Sequence, residues 1–227
     1  MVRALRRAAG SGAVSEGMSG DGTAGPARYP APMTDWPSGA GAAALRRAVE
    51  ERGRIEGSLV KVDEFLNHRV EPELMAAIGA DLATRFPVPD VVLTAEASGI
   101  APALQTAAAF GVPMVYAKKY PRAHSDRPAF VREVGSPTKG AEYRVEVAHR
   151  VLPAGSRVLI IDDFLSGGRT AEALGEIVEE AGGTVTGFGF VIEKAFVAGR
   201  SKLEARGWHV ESLLRILSLD GRIVLEP

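Results

Sequence analysis

Residues 158–170, VLIIDDFLSGGRT, constrain this chain more than any other stretch. Residues 158–161 form an apolar, β-branched run of the length expected for one buried parallel strand. Asp162 and Asp163 fall where that strand is expected to leave its sheet. Ser166, Gly167 and Gly168 then make a small-residue loop, and residues 170–180 have helical spacing, with Ala173, Leu174, Ile177 and Val178 on one face. Open α/β sheets bind ligands at the carboxyl ends of their parallel strands. A helix start offers unpaired N–H groups and the positive end of a dipole, and glycines let the backbone come close to a phosphate. Two carboxylates cannot favour that same phosphate. They suit neutral hydroxyls, such as those of a ribose, or a developing positive charge. The combination points to a phosphorylated ribose; the purely structural alternative is an Asp-rich turn before a capped helix. The run is not a Walker loop, because no Gly-Lys-Ser/Thr follows. Nor is it a dinucleotide fingerprint, because G-x-G-x-x-G is missing.

The same strand–loop–helix unit recurs upstream. Residues 91–95 read as a buried strand, followed by EASGIAP and a helix over 103–110, which makes a second anion-binding candidate. Residues 112–117 read as a third strand ending in Lys118 and Lys119, and residues 184–193 as a fourth. Strands alternating with helices predict an α/β fold with a doubly wound parallel sheet. Two helices precede it, over 42–52 and 73–86, the second with Pro72 at its start and Leu74, Ile78, Leu82 and Phe86 in register. A short helix over 202–206 and closing strands over 210–219 and 222–225 end the chain. Residues 120–151 break the rhythm. They are long and polar, with Ser136, Thr138 and Lys139 in the middle and a strand-like alternation over 143–147. Such an insert reads as a lid or binding loop, or as a plain surface hairpin.

Residues 1–40 are rich in Gly, Ala, Ser and Pro and hold few large apolar side chains, so they cannot offset their ordering entropy. We expect a disordered, low-complexity tail there and a single domain over 41–227. Arg3, Arg6 and Arg7 resemble the start of a targeting peptide, but the apolar core of a secretory signal does not follow; Met33 is an alternative start. A net charge of −1 across 227 residues gives no basic field for nucleic acid or a membrane surface. The absence of cysteine excludes disulfides, thiolate catalysis and cysteine-bound metals. No apolar run is long enough to span a bilayer. His68, His124, His149 and His209 lack ligand spacing, so no protein-held metal is expected.

The central run, with Asp-Asp, a short spacer and small-Gly-Gly-x-Thr, resembles the phosphoribosyl pyrophosphate (PRPP) signature of the purine and pyrimidine phosphoribosyltransferases. LVKVDEFLNH, EASGIAP, AKK, IDDFLSGGRT and VIEKAF occur in that order, and together they resemble the bacterial xanthine-using branch from about Leu45 to the C-terminus. The resemblance implies a lid hairpin and a small hood formed by N- and C-terminal segments. It implies transfer of the phosphoribosyl group of PRPP to xanthine, giving xanthosine 5′-monophosphate and pyrophosphate in purine salvage. It also implies Mg²⁺ carried on the diphosphate and a cytoplasmic homodimer with no nucleic-acid or membrane partner.

Carried over by position, Ser166, Gly167, Gly168, Arg169 and Thr170 would hold the 5′-phosphate. Asp162 and Asp163 would face the ribose hydroxyls, and Ser98, Gly99, Lys118 and Lys119 the pyrophosphate. Val60, Asn67 and Lys194 would contact the base. The chain departs from that pattern in four places. Many relatives have Ala-Asn-Gly-Gln-Ala where this chain has Ser-Gly-Gly-Arg-Thr, so Thr170 restores a hydroxyl donor. Val60 stands for a leucine, Lys118 for an arginine, and Ala97 for a serine. A Lys194 ammonium can donate to a ring carbonyl and disfavours the amino group of adenine, since lysine accepts nothing. Asn67 can donate or accept at the other polar edge. The bland alternatives are a solvated surface lysine and a turn or cap asparagine. The chain names no general base, because Leu165 and Ser166 occupy the slots where some relatives carry an Asp. Two rival functions stand beside the xanthine enzyme. One is transfer to guanine, hypoxanthine or adenine. The other is a non-catalytic PRPP-sensing purine regulator, whose winged-helix segment has no counterpart pattern here.

Overall fold

The computed structural model describes residues 36–121, 128–135 and 143–227. The expected tail up to residue 35, together with His124, Ser136, Thr138 and Lys139, lies outside the described residues.

An eight-stranded sheet organises the chain, in the order β10-β9-β8-β7-β3-β4-β6-β5. Its centre is parallel: β9 (Val210–Ser218), β8 (Thr184–Lys194), β7 (Arg157–Leu165), β3 (Val91–Ala95) and β4 (Met114–Pro121). Antiparallel strands close both edges, β10 (Val224–Leu225) on one side and the β5 (Ala129–Val134)–β6 (Tyr143–Ala148) pair on the other. The fold is therefore α/β with a mostly parallel central sheet, as the strand–helix alternation predicts.

Side chains alternate along each strand, which gives the sheet two cores. Val91, Leu93, Val158 and Ile160 point to one face, where α4 (Arg169–Glu180) lays down Leu174, Ile177 and Val178 beside Phe188 and Trp208. Val92, Leu159 and Ile161 point to the other face. There α1 (Ala40–Arg52), α2 (Pro72–Ala83) and α3 (Ile100–Phe110) bring Leu45, Val49, Ile78, Leu82 and Ala103. The start of α1 is tied to α2 by a hydrogen bond from the Ala42 N–H to the Asp81 carboxylate, 2.8 Å long. Beyond α1 a short hairpin, β1 (Arg54–Glu56) and β2 (Leu59–Lys61), leads into a π-helical turn at Asp63–Asn67. The end of the chain reaches the same region, where the Arg46 guanidinium donates to the Glu226 carbonyl.

Three of the boundaries that differ from the sequence reading have a clear physical reason. Helix α2 stops at Ala83 rather than residue 86, because the Thr84 hydroxyl caps back on the Asp81 carbonyl at 2.7 Å and Phe86 turns under Gly187 and Gly189. Strand β4 runs on through Lys118 and Lys119, since β6 pairs with it from Lys118 to Pro121. Strand β7 does not end at the aspartates. It continues to Leu165 because β8 pairs with it as far as Leu165↔Glu193, whereas β3 pairs with it only to Ile160. Asp162 and Asp163 thus sit on a strand with one flank open, and the loop before α3 uses that flank.

Candidate active site

Two helices start beside the open flank of β7, and neither start is capped by a side chain. Gly168 precedes α4 at φ 72°, a left-handed conformation that favours glycine, and leaves the first N–H groups of the helix free. Gly99 precedes α3. A Cβ on Gly99 would lie 2.4 Å from the Asp162 Oδ1 and 2.2 Å from the Thr94 hydroxyl. Only glycine lets the α3 loop come this close to the acidic pair.

The pair is held from both sides. Asp163, 6 % exposed, accepts from the Ser98 hydroxyl at 2.9 Å and from the Asn67 amide at 3.2 Å. Asp162 Oδ1 accepts from the Asp163 backbone N–H at 2.9 Å. Burial, and then the Asp163 carboxylate beside it, push Asp162 well above the ordinary carboxylate range; the Asp163 N–H and the Lys119 charge oppose the shift. A cleft of about 300 Å³ opens here, lined by Tyr143, Asp162, Phe164, the 166–168 loop, Arg169 and Thr170.

The structure sorts the residues expected from sequence. Ser166, Gly167, Gly168, Arg169 and Thr170 all line the cleft; Arg169 also donates to the Gly135 carbonyl. Ser98, Gly99 and Asn67 join the acidic pair. Lys119 faces the same side: its backbone N–H donates to Glu96 at 2.6 Å, and its ammonium lies over the Tyr143 ring. Lys118, expected beside Lys119 at the diphosphate, does not join them within the single chain. Adjacent residues of a strand point to opposite faces, so Lys118 lines a separate hollow with Tyr116, Tyr120 and Glu146. Lys194 ends β8 and donates to the Ser58 carbonyl at 3.2 Å, in the turn just before Val60; burial lowers its pKa. Val60 is half-buried against the core.

Sequence reasoning missed several cleft residues. Phe164 stands two residues beyond Asp162 in the same run, but it packs on the Ile161 side of the sheet, where strand alternation from Asp162 would not place it. Tyr143, Gly135 and Phe190 lie far from the loop in sequence and carry no local signal. Also missed was a buried clamp next to Lys194. The Glu193 carboxylate accepts from Arg200 at 2.7 Å and from the Ser212 hydroxyl at 2.7 Å, with Arg215 at 3.3 Å.

The phosphoribosyl transferase domain family matches residues 70–211, which hold the acidic pair and both helix starts. The chain belongs to the phosphoribosyltransferase family. Among its curated relatives, the xanthine phosphoribosyltransferase of Chloroflexus aurantiacus is 47% identical over 180 residues, covering 78% of this chain and 85% of that protein. The xanthine phosphoribosyltransferase of Shouchella clausii is 46% identical over 184 residues, covering 79% of this chain and 92% of that protein. Among solved structures, the adenine phosphoribosyltransferase of Saccharomyces cerevisiae superposes with a TM-score of 0.61 at 25% identity, covering 76% of this chain and 99% of that one. This phosphoribosyltransferase is thus an enzyme of the pentosyltransferase class, with the fold of its family. Among the described residues, no helix is long and apolar enough to cross a membrane.

Proposed function

We propose that this phosphoribosyltransferase transfers the phosphoribosyl group of PRPP to xanthine, yielding xanthosine 5′-monophosphate and pyrophosphate for purine salvage. The observation that carries the reading is the acidic pair of β7 set between two uncapped helix starts. The α4 start suits the 5′-phosphate, the carboxylates the ribose hydroxyls, and the α3 start with Lys119 the diphosphate. The names of the relatives support xanthine as the base. We assign the base edge to Asn67, which lies against Asp163, and to Lys194, which bonds the turn before Val60.

The reaction joins a purine ring nitrogen to the anomeric carbon as the bond to the diphosphate oxygen breaks, through an oxocarbenium-like transition state. Asp162 and Asp163 fix the ribose and favour its positive charge. Free N–H groups of the 166–168 loop and α4 hold the 5′-phosphate, and Lys119 balances charge on the leaving group. The two carboxylates supply hard oxygen donors, which fit a Mg²⁺ ion that brings diphosphate oxygens with it. When bound, that ion neutralises the leaving pyrophosphate. Lys194 and Asn67 bond the polar edge of the base, and a site built on such bonds rejects bases that lack the matching group.

The remaining parts of the reading rest on family likeness. Residues 41–227 act as one catalytic domain, preceded by a low-complexity tail. The β5–β6 hairpin acts as a lid and the terminal segments as a hood. The enzyme works in the cytoplasm as a homodimer. The test is pyrophosphate release from PRPP and Mg²⁺, with and without xanthine. Release that depends on xanthine is expected; release that is absent or indifferent to the base would sink the reading.

A further inference from the structure

Tyr143 opens β6 and lines the cleft, yet nothing above gives it a task. Its hydroxyl lies 2.7 Å from the Thr170 hydroxyl in the first turn of α4. The Lys119 ammonium stands 5.4 Å from the centroid of its ring. One side chain therefore touches a residue of each anion site. We propose that Tyr143 is a positioning residue: its hydroxyl aims Thr170 at the 5′-phosphate, and its ring holds Lys119 for the diphosphate. The proposal rests on the reading of this cleft as the PRPP site.

The hydrogen-bond inventory sets the direction. A threonine hydroxyl has one proton and two lone pairs. Once Thr170 donates its proton to a phosphate oxygen, its own oxygen still accepts, and the more acidic phenol of Tyr143 is the donor that serves it. Such a relay strengthens the outer bond. It also fixes a hydroxyl that otherwise rotates freely. At the other end, attraction between an ammonium and an aromatic face keeps the flexible lysine from wandering. The backbone around Tyr143 is anchored, since it pairs with Val134 of β5 and Pro121 of β4, and the nearby Gly135 carbonyl accepts from Arg169. Thr170 is also one of the positions where the chain departs from the alanine of many relatives. The tyrosine and threonine thus make sense as a matched pair.

The test combines steady-state kinetics with PRPP titration by calorimetry on the full chain and on Tyr143→Phe, Thr170→Ala, Thr170→Ser and the Tyr143→Phe/Thr170→Ala double variant. Losing one hydrogen bond at the phosphate should weaken PRPP by about three- to tenfold in Tyr143→Phe. The KM for xanthine should stay level, and kcat should change less than the PRPP affinity. In the Thr170→Ala background the phenylalanine change should add nothing, whereas Thr170→Ser should keep the effect. Tyr143→Leu, which also removes the ring, should further relax inhibition by pyrophosphate. PRPP affinity unchanged in Tyr143→Phe, or effects that multiply in the double variant, would overturn the proposal alone. If the unaltered protein binds no PRPP, the underlying reading falls and the proposal falls with it.

Discussion

Glu193→Ala tests how the fold holds the end of β8 in place. The Glu193 carboxylate is 1 % exposed, yet it is charged and sits next to Lys194. Four donor atoms compensate its burial: Arg200 Nε at 3.0 Å, Arg200 Nη2 at 2.7 Å, the Ser212 hydroxyl at 2.7 Å, and Arg215 Nε at 3.3 Å. Breaking a buried pair by removing one partner costs about 3–5 kcal/mol. Here the guanidinium groups keep other partners, Arg200 on the Val210 carbonyl at 2.7 Å and Arg215 on Glu226 at 2.5 Å. The loss should therefore fall near the lower end, about 3 kcal/mol. In a domain of this size that lowers Tm by roughly 6–12 °C.

The effect should also depend on pH. Burial pushes the Glu193 pKa up, but the bonds from Arg200 and Ser212 and the arginine charges outweigh it and bring it below the ordinary glutamate value. A carboxylate with a lowered folded pKa contributes stability above its unfolded pKa and loses it as pH falls through the folded value. Urea unfolding at pH 7 and pH 3 should therefore show the gap between the native chain and Glu193→Ala closing in acid. Arg206→Ala is the control. It removes an exposed, solvent-screened cluster with Glu172, Glu176 and Glu179 and a stacking contact on Trp208, and should shift stability far less than Glu193→Ala, with no closing of the gap in acid. A loss below about 1 kcal/mol in Glu193→Ala, or a gap of equal size at both pH values, would refute the reasoning.

Three further outcomes follow from the site. Lys194→Ala should raise the KM for xanthine by about ten- to a hundredfold, the worth of a hydrogen bond from a charged donor, while the KM for PRPP stays level in the same assay. Asp162→Asn should slow turnover by about a hundredfold yet stabilise the fold at neutral pH. The folded Asp162 pKa is raised, so its favourable contribution is complete below the ordinary Asp value and is lost as pH rises; thermal melts at pH 4 and pH 8 should show the variant's gain growing with pH. Gly99→Ala puts a methyl carbon 2.4 Å from Asp162 Oδ1, so it should cut PRPP affinity sharply in calorimetry and cost about 1–3 kcal/mol of stability.

Much of this was legible because local periodicity carries it. The apolar runs of β3, β7 and β8 and the amphipathic stripe of α4 stand in the sequence, and so does the glycine loop between Asp163 and Thr170. What escaped was decided by pairing at long range. Strand β7 passes through its aspartates only because β8 continues beside it, and β4 passes through Lys118 and Lys119 only because β6 does. Had β4 been drawn to that length, period-two alternation alone would have put the two lysines on opposite faces. Tyr143 and Thr170 lie 27 positions apart, and Asn67 and Asp163 lie 96 apart. No window of sequence reports such contacts. The Glu193 clamp escaped for the same reason, since its partners come from α5 (Gly199–Ala205) and β9.

The most direct test of the account is a competition. The protein is given PRPP and Mg²⁺ with xanthine, guanine, hypoxanthine and adenine at equal concentration, and the nucleotides formed are separated and counted. The account predicts xanthosine 5′-monophosphate as the main product, with that preference lost in Asn67→Ala. A different nucleotide in the majority would contradict the roles given to Lys194 and Asn67, and no nucleotide at all would contradict the transferase reading itself.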